Sequence, residues 1–204
     1  MAPIRIALIG LTGKVNPNVI GGQWGVQHIT ALKALPQYRV VAVCNTSVES
    51  AARAIKVHDL GPEVRAYGSG AALAADPEVD LISIVVHVDY HYELALPAIA
   101  AGKDLYIEYP VAAKAAEVEE LARLAREKGV RVAIGAQAVA DPVQRQLKKL
   151  LREGAVGDVV FTSFQGQIPI VTADGWSHDL KWWLDKDATC NRLTVFLGHC
   201  TSHP

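Results

Sequence analysis

The sequence predicts an α/β fold: a doubly wound parallel sheet over residues 1–137, followed over 138–204 by the truncated start of an α+β second domain. Three observations predict it. Six short apolar runs, at 4–9, 39–44, 64–67, 80–86, 104–108 and 130–135, alternate with segments of helical spacing. The longer runs are continuously apolar, the pattern of strands covered on both faces. The connections between them are short, and strands alternating with helices in this way build a parallel sheet.

The elements follow in order. The first strand is Ile4-Arg5-Ile6-Ala7-Leu8-Ile9, and it breaks at Gly10-Leu11-Thr12-Gly13. A second glycine cluster, Gly21-Gly22-Gln23-Trp24-Gly25, leads into residues 26–35, which have helical spacing. The second strand, 39–44, ends at Cys44 and Asn45, and Ser47 is placed to cap a helix that runs to about His58. A short strand at 64–67 and a short helix at 69–75 precede the fourth strand, 80–86. The helix at 89–101 ends at Gly102 and the helix at 114–128 at Gly129, with glycine where a helix stops. Asp141 caps a further helix, 141–153, with Pro142 at its first position. Gly157-Asp158 then marks a turn, and 159–167 alternates like a strand. That strand is expected to open the second domain and, without a neighbour to pair with, to be exposed. Residues 168–204 hold Trp176, Trp182 and Trp183 but no clear period.

Strand, glycine-rich turn and helix together open a nucleotide-binding βαβ unit. A helix start carries unpaired N–H groups and partial positive charge, which attract a phosphate. Glycine is needed there because a Cβ would hold the phosphate away. The usual spacing is G-x-G-x-x-G. Gly10 fills the first place, and the others are split across an inserted stretch, Lys14 to Gly21. In a doubly wound, Rossmann-type sheet the ligand lies beyond the carboxyl ends of the strands. The glycine turn, Asn45, His87, His91 and Glu108 all fall at those ends.

Composition narrows the class. Half of the 204 residues are hydrophobic and 20% are charged, with a net charge of −1. That balance points away from direct nucleic-acid binding and from an anionic membrane surface. No apolar run reaches the roughly 18 residues of a membrane span. Cys44, Cys190 and Cys200 show no C-x-x-C spacing, and the chain opens on a strand with no signal-like segment. Reduced thiols, a cytoplasmic location and no metal site are the expectation.

Asn45 stands where NAD enzymes usually carry an acid for the ribose hydroxyls; it can bond a hydroxyl without repelling a 2′-phosphate, so both NAD and NADP stay open. His87 and His91, after the fourth strand, are candidate proton relays. Glu108-Tyr109-Pro110 follows the fifth strand.

Residues 80–120 resemble the glucose–fructose oxidoreductase / inositol dehydrogenase (Gfo/Idh/MocA) family. The likeness rests on His91, Ala101-Gly102-Lys103 and Glu108-Tyr109-Pro110, and extends through Gln137 and Asp141 to Gly157-Asp158, with His28 matching a histidine of the family's first helix. The resemblance implies hydride transfer between NAD(P) and a sugar- or polyol-like hydroxyl. It implies cofactor contacts from Gly10, Leu11, Thr12, Gly13, Trp24, Asn45, His87, Glu108 and Gln137. It implies that Glu108 orients the nicotinamide side, that Tyr109 or His91 handles the proton and that His199 touches substrate.

Two departures from the family pattern matter. Tyr109 replaces the lysine of the family's Glu-Lys-Pro triplet, and a tyrosine takes that role only if its surroundings shift its proton affinity. Val195-Phe196-Leu197-Gly198-His199 keeps the histidine of a later motif and lacks its aspartate. Both features are similar to the branch that contains the fungal galactose-pathway repressor, which implies a second reading: a non-catalytic NAD(P)-binding transcriptional co-regulator with a protein partner. The family's second domain is a large sheet that provides the dimer interface. The chain stops early in it, so a fragment is expected, with a homodimer open to it only if that domain is complete.

Overall fold

The computed structural model describes residues 2–14, 24–163, 165, 183–185, 187–191, 194–195 and 198–199. Most of the inserted stretch at 14–21 and of the tail at 168–204 therefore lies outside the described residues. The chain divides into two compact units, Met1–Gly135 and Ala136–Pro204.

The first unit is a six-stranded parallel sheet of order β3-β2-β1-β4-β5-β6. Its strands are β1 (Ile4–Ile9), β2 (Tyr38–Cys44), β3 (Arg65–Tyr67), β4 (Leu81–Ile84), β5 (Asp104–Glu108) and β6 (Val132–Gly135). Between them run α1 (Trp24–Ala34), α2 (Val48–Val57), α3 (Gly70–Ala74), α4 (His91–Ala100) and α5 (Ala115–Lys128). The order reverses direction at β1 and β4, and the crevice beyond that switch point is where such sheets hold ligands.

Two apolar layers cover the sheet. On one face Ile29 of α1 and Ala51 and Ala54 of α2 pack on Leu8 and Val43. On the other, residues of α3, α4 and α5 pack on Ala7, Ile9, Ile82, Ile84, Leu105 and Ile107. The alternation along β1 assigns its residues to the two faces in turn, as a pleated strand must. Leu8, Ser83, Tyr106 and Ala133 are register partners across four strands and so share the α1 side.

The predicted caps hold. Ser47 accepts from the Ser50 amide, and Gly129 closes α5 at φ +66°. In the second unit, α6 (Pro142–Arg152) starts with Asp141 accepting from the Val143 and Gln144 amides. The segment after β4 is shorter than expected: a 3₁₀ turn at Val88–Tyr90 precedes α4, because the His87 ring caps the Asp89 amide before helix hydrogen bonding begins.

One expectation fails. Residues 159–163 and 165 are not a strand; 164, 166 and 167 lie outside the described residues. Alternation supplies two faces but no hydrogen-bonding neighbour, and a strand exists only as part of a ladder. Val160 is 98% exposed and Phe161 85% exposed.

Candidate functional site

The site is assembled from backbone first. At the end of β1 the Gly10 amide donates to the Cys44 carbonyl and the Val85 amide to the Ile9 carbonyl, so the three central strand ends meet. Gly10 has φ +99°, and a Cβ on it would stand 2.2 Å from the Val85 carbonyl oxygen. Gly25, in the first turn of α1, is equally constrained: a Cβ there would meet the Gly10 carbonyl oxygen at 2.6 Å. The pair lets the amide-bearing start of α1 sit directly on the end of β1. Gly25 therefore plays the close-packing glycine of the turn, although eleven positions separate it from Gly13 in the chain.

The turn is tied down on its far side. Leu11 is fully buried, Thr12 Oγ1 accepts from the Lys14 amide, and the Thr12 carbonyl lies 2.8 Å from His58 Nε2 at the end of α2. Asn45 donates through Nδ2 to the Leu11 carbonyl at 2.8 Å and reaches Ser50 Oγ at 3.5 Å, so its amide pins the turn to the end of β2. Gly13 packs on α2, against Arg53 Cγ and the Ala54 backbone. Trp24 opens α1 with 56% of its surface exposed.

At the other end of the crevice Glu108 closes β5. Its Oε1 is 2.7 Å from His28 Nε2, and a Cβ on Gly135, its partner in β6, would strike the carboxylate at 2.8 Å. His28 also meets Tyr106 edge-on, with ring centroids 5.2 Å apart. Glu108 and Tyr106 are two apart on β5 and face α1 together, which brings one helical histidine to both. Tyr109 follows, half-buried, in a cis peptide with Pro110.

His91 departs from the proton-relay expectation. It is 1% exposed, with Nδ1 2.9 Å from the Pro110 carbonyl and Nε2 2.9 Å from the Val86 carbonyl. Burial lowers its pKa below the ordinary histidine value, against the opposing pull of the carbonyls and of Glu108. A ring enclosed in this way braces two turns and has no nitrogen turned toward a ligand. His87 is half-exposed, its Nδ1 3.3 Å from Asp89 Oδ2. Gln137, in a 3₁₀ turn, and His199, in a helical segment, belong to the second unit.

Sequence reasoning put Gly10, Asn45 and Glu108 at strand ends. It did not assign work to Gly25, Gly135 or the His28–Glu108 pair; the signal for the first was its place at a helix start, and for the last only the family match at His28. Among the described residues no cluster of three or more histidine, cysteine, aspartate or glutamate side chains is placed to hold a metal, and no helix is long and apolar enough to cross a membrane.

Comparison with known proteins agrees with this geometry. The dehydrogenase aclE of Aspergillus oryzae is 34% identical over 199 residues, 96% of this chain and 52% of the relative. The galactose/lactose metabolism regulatory protein of Saccharomyces cerevisiae is 26% identical over 183 residues, 86% of this chain and 39% of the relative. A crystal structure of an NAD binding oxidoreductase from Klebsiella pneumoniae superposes with a TM-score of 0.66 at 30% identity, covering 77% of this chain and 40% of that one. The chain spans about half the length of the curated relatives it matches. Residues 4–136 match the profile of the Gfo/Idh/MocA group, described as "oxidoreductase family, NAD-binding Rossmann fold", and the chain belongs to that family.

Proposed function

We propose that this chain binds a nicotinamide dinucleotide, NAD or NADP, across the carboxyl edge of its sheet and serves hydride transfer with a sugar- or polyol-like hydroxyl. The observation that carries the reading is the bare contact of Gly25 with the Gly10 carbonyl. That packing, which no Cβ could enter, seats the amide start of α1 on the end of β1, and a pyrophosphate suits the unpaired amides of such a helix start. The cofactor, when bound, supplies the hydride chemistry, and the protein supplies position and electrostatics.

The residues divide by place. Gly10, Leu11, Thr12, Gly13 and Trp24 form the phosphate end, with Asn45 at the ribose. Glu108, held by His28 and roomed by Gly135, orients the nicotinamide end together with His87. Tyr109 is the group that takes or gives the substrate proton, while His91 positions the Glu108-Tyr109-Pro110 turn through the Pro110 carbonyl. Gln137 and His199, the remaining candidates implied by the family resemblance, lie in the second unit.

A second reading has its own support. Tyr109 stands in place of the triplet lysine, the aspartate before His199 is absent, and a regulatory protein is among the relatives. In that reading the chain binds NAD(P) without turnover and signals to a protein partner. Titration of the 204-residue chain with NADH and NADPH, read by Trp24 fluorescence and calorimetry, tests the binding common to both. Binding followed by oxidation of some member of a polyol and sugar panel supports the enzyme. Binding with no turnover, and activity gained on Tyr109→Lys, supports the regulator. No binding at millimolar nucleotide overturns both.

A further inference from the structure

We infer that the nucleotide this chain takes is NADP(H) in preference to NAD(H), and that Arg53 selects it by binding the 2′-phosphate. The inference rests on the nucleotide reading above and goes beyond it to the choice between the two cofactors.

The ribose of a dinucleotide bound at such an edge sits beyond the second strand, and an acid there selects NAD by repelling a phosphate. Here that position is Asn45, which is neutral and whose Nδ2 is committed to the Leu11 carbonyl and Ser50 Oγ. Ser50 and Arg53 are three residues apart on α2, so they share a face, and that face is turned toward the glycine turn. The contact is direct: a Cβ on Gly13 would meet Arg53 Cγ at 3.1 Å. The aliphatic stem of Arg53 is therefore laid along the turn while the residue is exposed and makes no hydrogen bond or ion pair among the described residues. A guanidinium anchored by its stem and open at its fork is suited to a bidentate phosphate contact. The acid one turn back, Glu49, is turned to its own backbone amide and the Ser47 hydroxyl, which lower its pKa, and forms no ion pair with Arg53.

Dissociation constants for NADPH and NADH, measured on the 204-residue chain by calorimetry, test the assignment. The parent chain should bind NADPH at least about tenfold tighter, since a charge-assisted bond of this kind contributes on the order of a tenfold factor or more. Arg53→Ala should cost NADPH that factor and leave NADH unchanged; Arg53→Lys should restore part of it. Arg53→Met, which keeps the stem and removes the charge, should cost NADPH the same factor and melt like the parent without nucleotide. Equal affinities, a preference for NADH, or an Arg53→Ala effect equal on both cofactors would overturn the inference while leaving nucleotide binding intact. Silence with both cofactors removes the parent reading and this one with it.

Discussion

Gly10 shows how one position can decide a site. Its φ of +99° and the 2.2 Å approach to the Val85 carbonyl leave no place for a side chain. Gly10→Ala combines left-handed strain with a backbone clash, and urea unfolding should show a loss of about 3 kcal/mol or more. His91 makes a different prediction. Burial lowers its folded pKa, so the unfolded chain binds the proton more readily. Its contribution to stability is complete above the ordinary histidine value of about 6.5 and is lost as pH falls through the folded pKa. Calorimetric melting should drop over that window in the parent chain and less steeply in His91→Gln. These residues differ in how far the sequence announces them. Gly10, Asn45 and Glu108 stand where apolar runs stop, so their place is readable. The His28–Glu108 contact joins residues eighty apart, which no local pattern encodes. His91 could be placed from its motif, but only packing reveals that both ring nitrogens are taken up by carbonyls.

At the scale of elements, the short edge strand β3 depends on side chains more than on length. Asp76, just beyond α3, accepts from Arg65 Nε, the Tyr67 hydroxyl and the Glu78 amide, each at 2.8 Å. Two of those donors come from β3. Burial alone would raise the Asp76 pKa, yet the bonds from Tyr67, the Glu78 amide and Arg65 outweigh it and lower the value. Asp76→Asn should therefore cost about 2–3 kcal/mol in urea unfolding at neutral pH, and the difference from the parent should shrink as pH falls below the usual carboxylate range. The sequence was readable at this scale wherever an element carries its own stop. Gly102 and Gly129 end their helices with φ of +73° and +66°, and Asp141 and Ser47 begin theirs. It misled at 159–167, where alternation existed without a ladder to join.

For the whole molecule, the two units carry different kinds of surface. The first encloses its apolar layers between helices and sheet. In the second, α6 has no buried residue, and Val160 and Phe161 are almost fully exposed. Adjacent exposed apolar side chains favour association. Light scattering should show concentration-dependent association of the 204-residue chain, reduced in a Val160→Lys, Phe161→Lys double variant whose first unit melts unchanged. In the sequence the end of the first domain falls at 137, where strands and helices stop succeeding one another; the arrangement of residues beyond it depends on long-range pairing that composition does not reveal.

A line of close neighbours runs along the crevice: Gly10 leaves no room for a Cβ beside Val85 and Val86, the Val86 carbonyl meets His91, and His91 meets the Pro110 carbonyl. It works as a strut between the turn after β1 and the turn after β5. Tightening one end should quiet the other even when no ligand atom reaches it. Adenosine monophosphate alone should thus slow amide exchange at Val111 and Ala112, far from the phosphate, and Gly10→Ala should sever that communication.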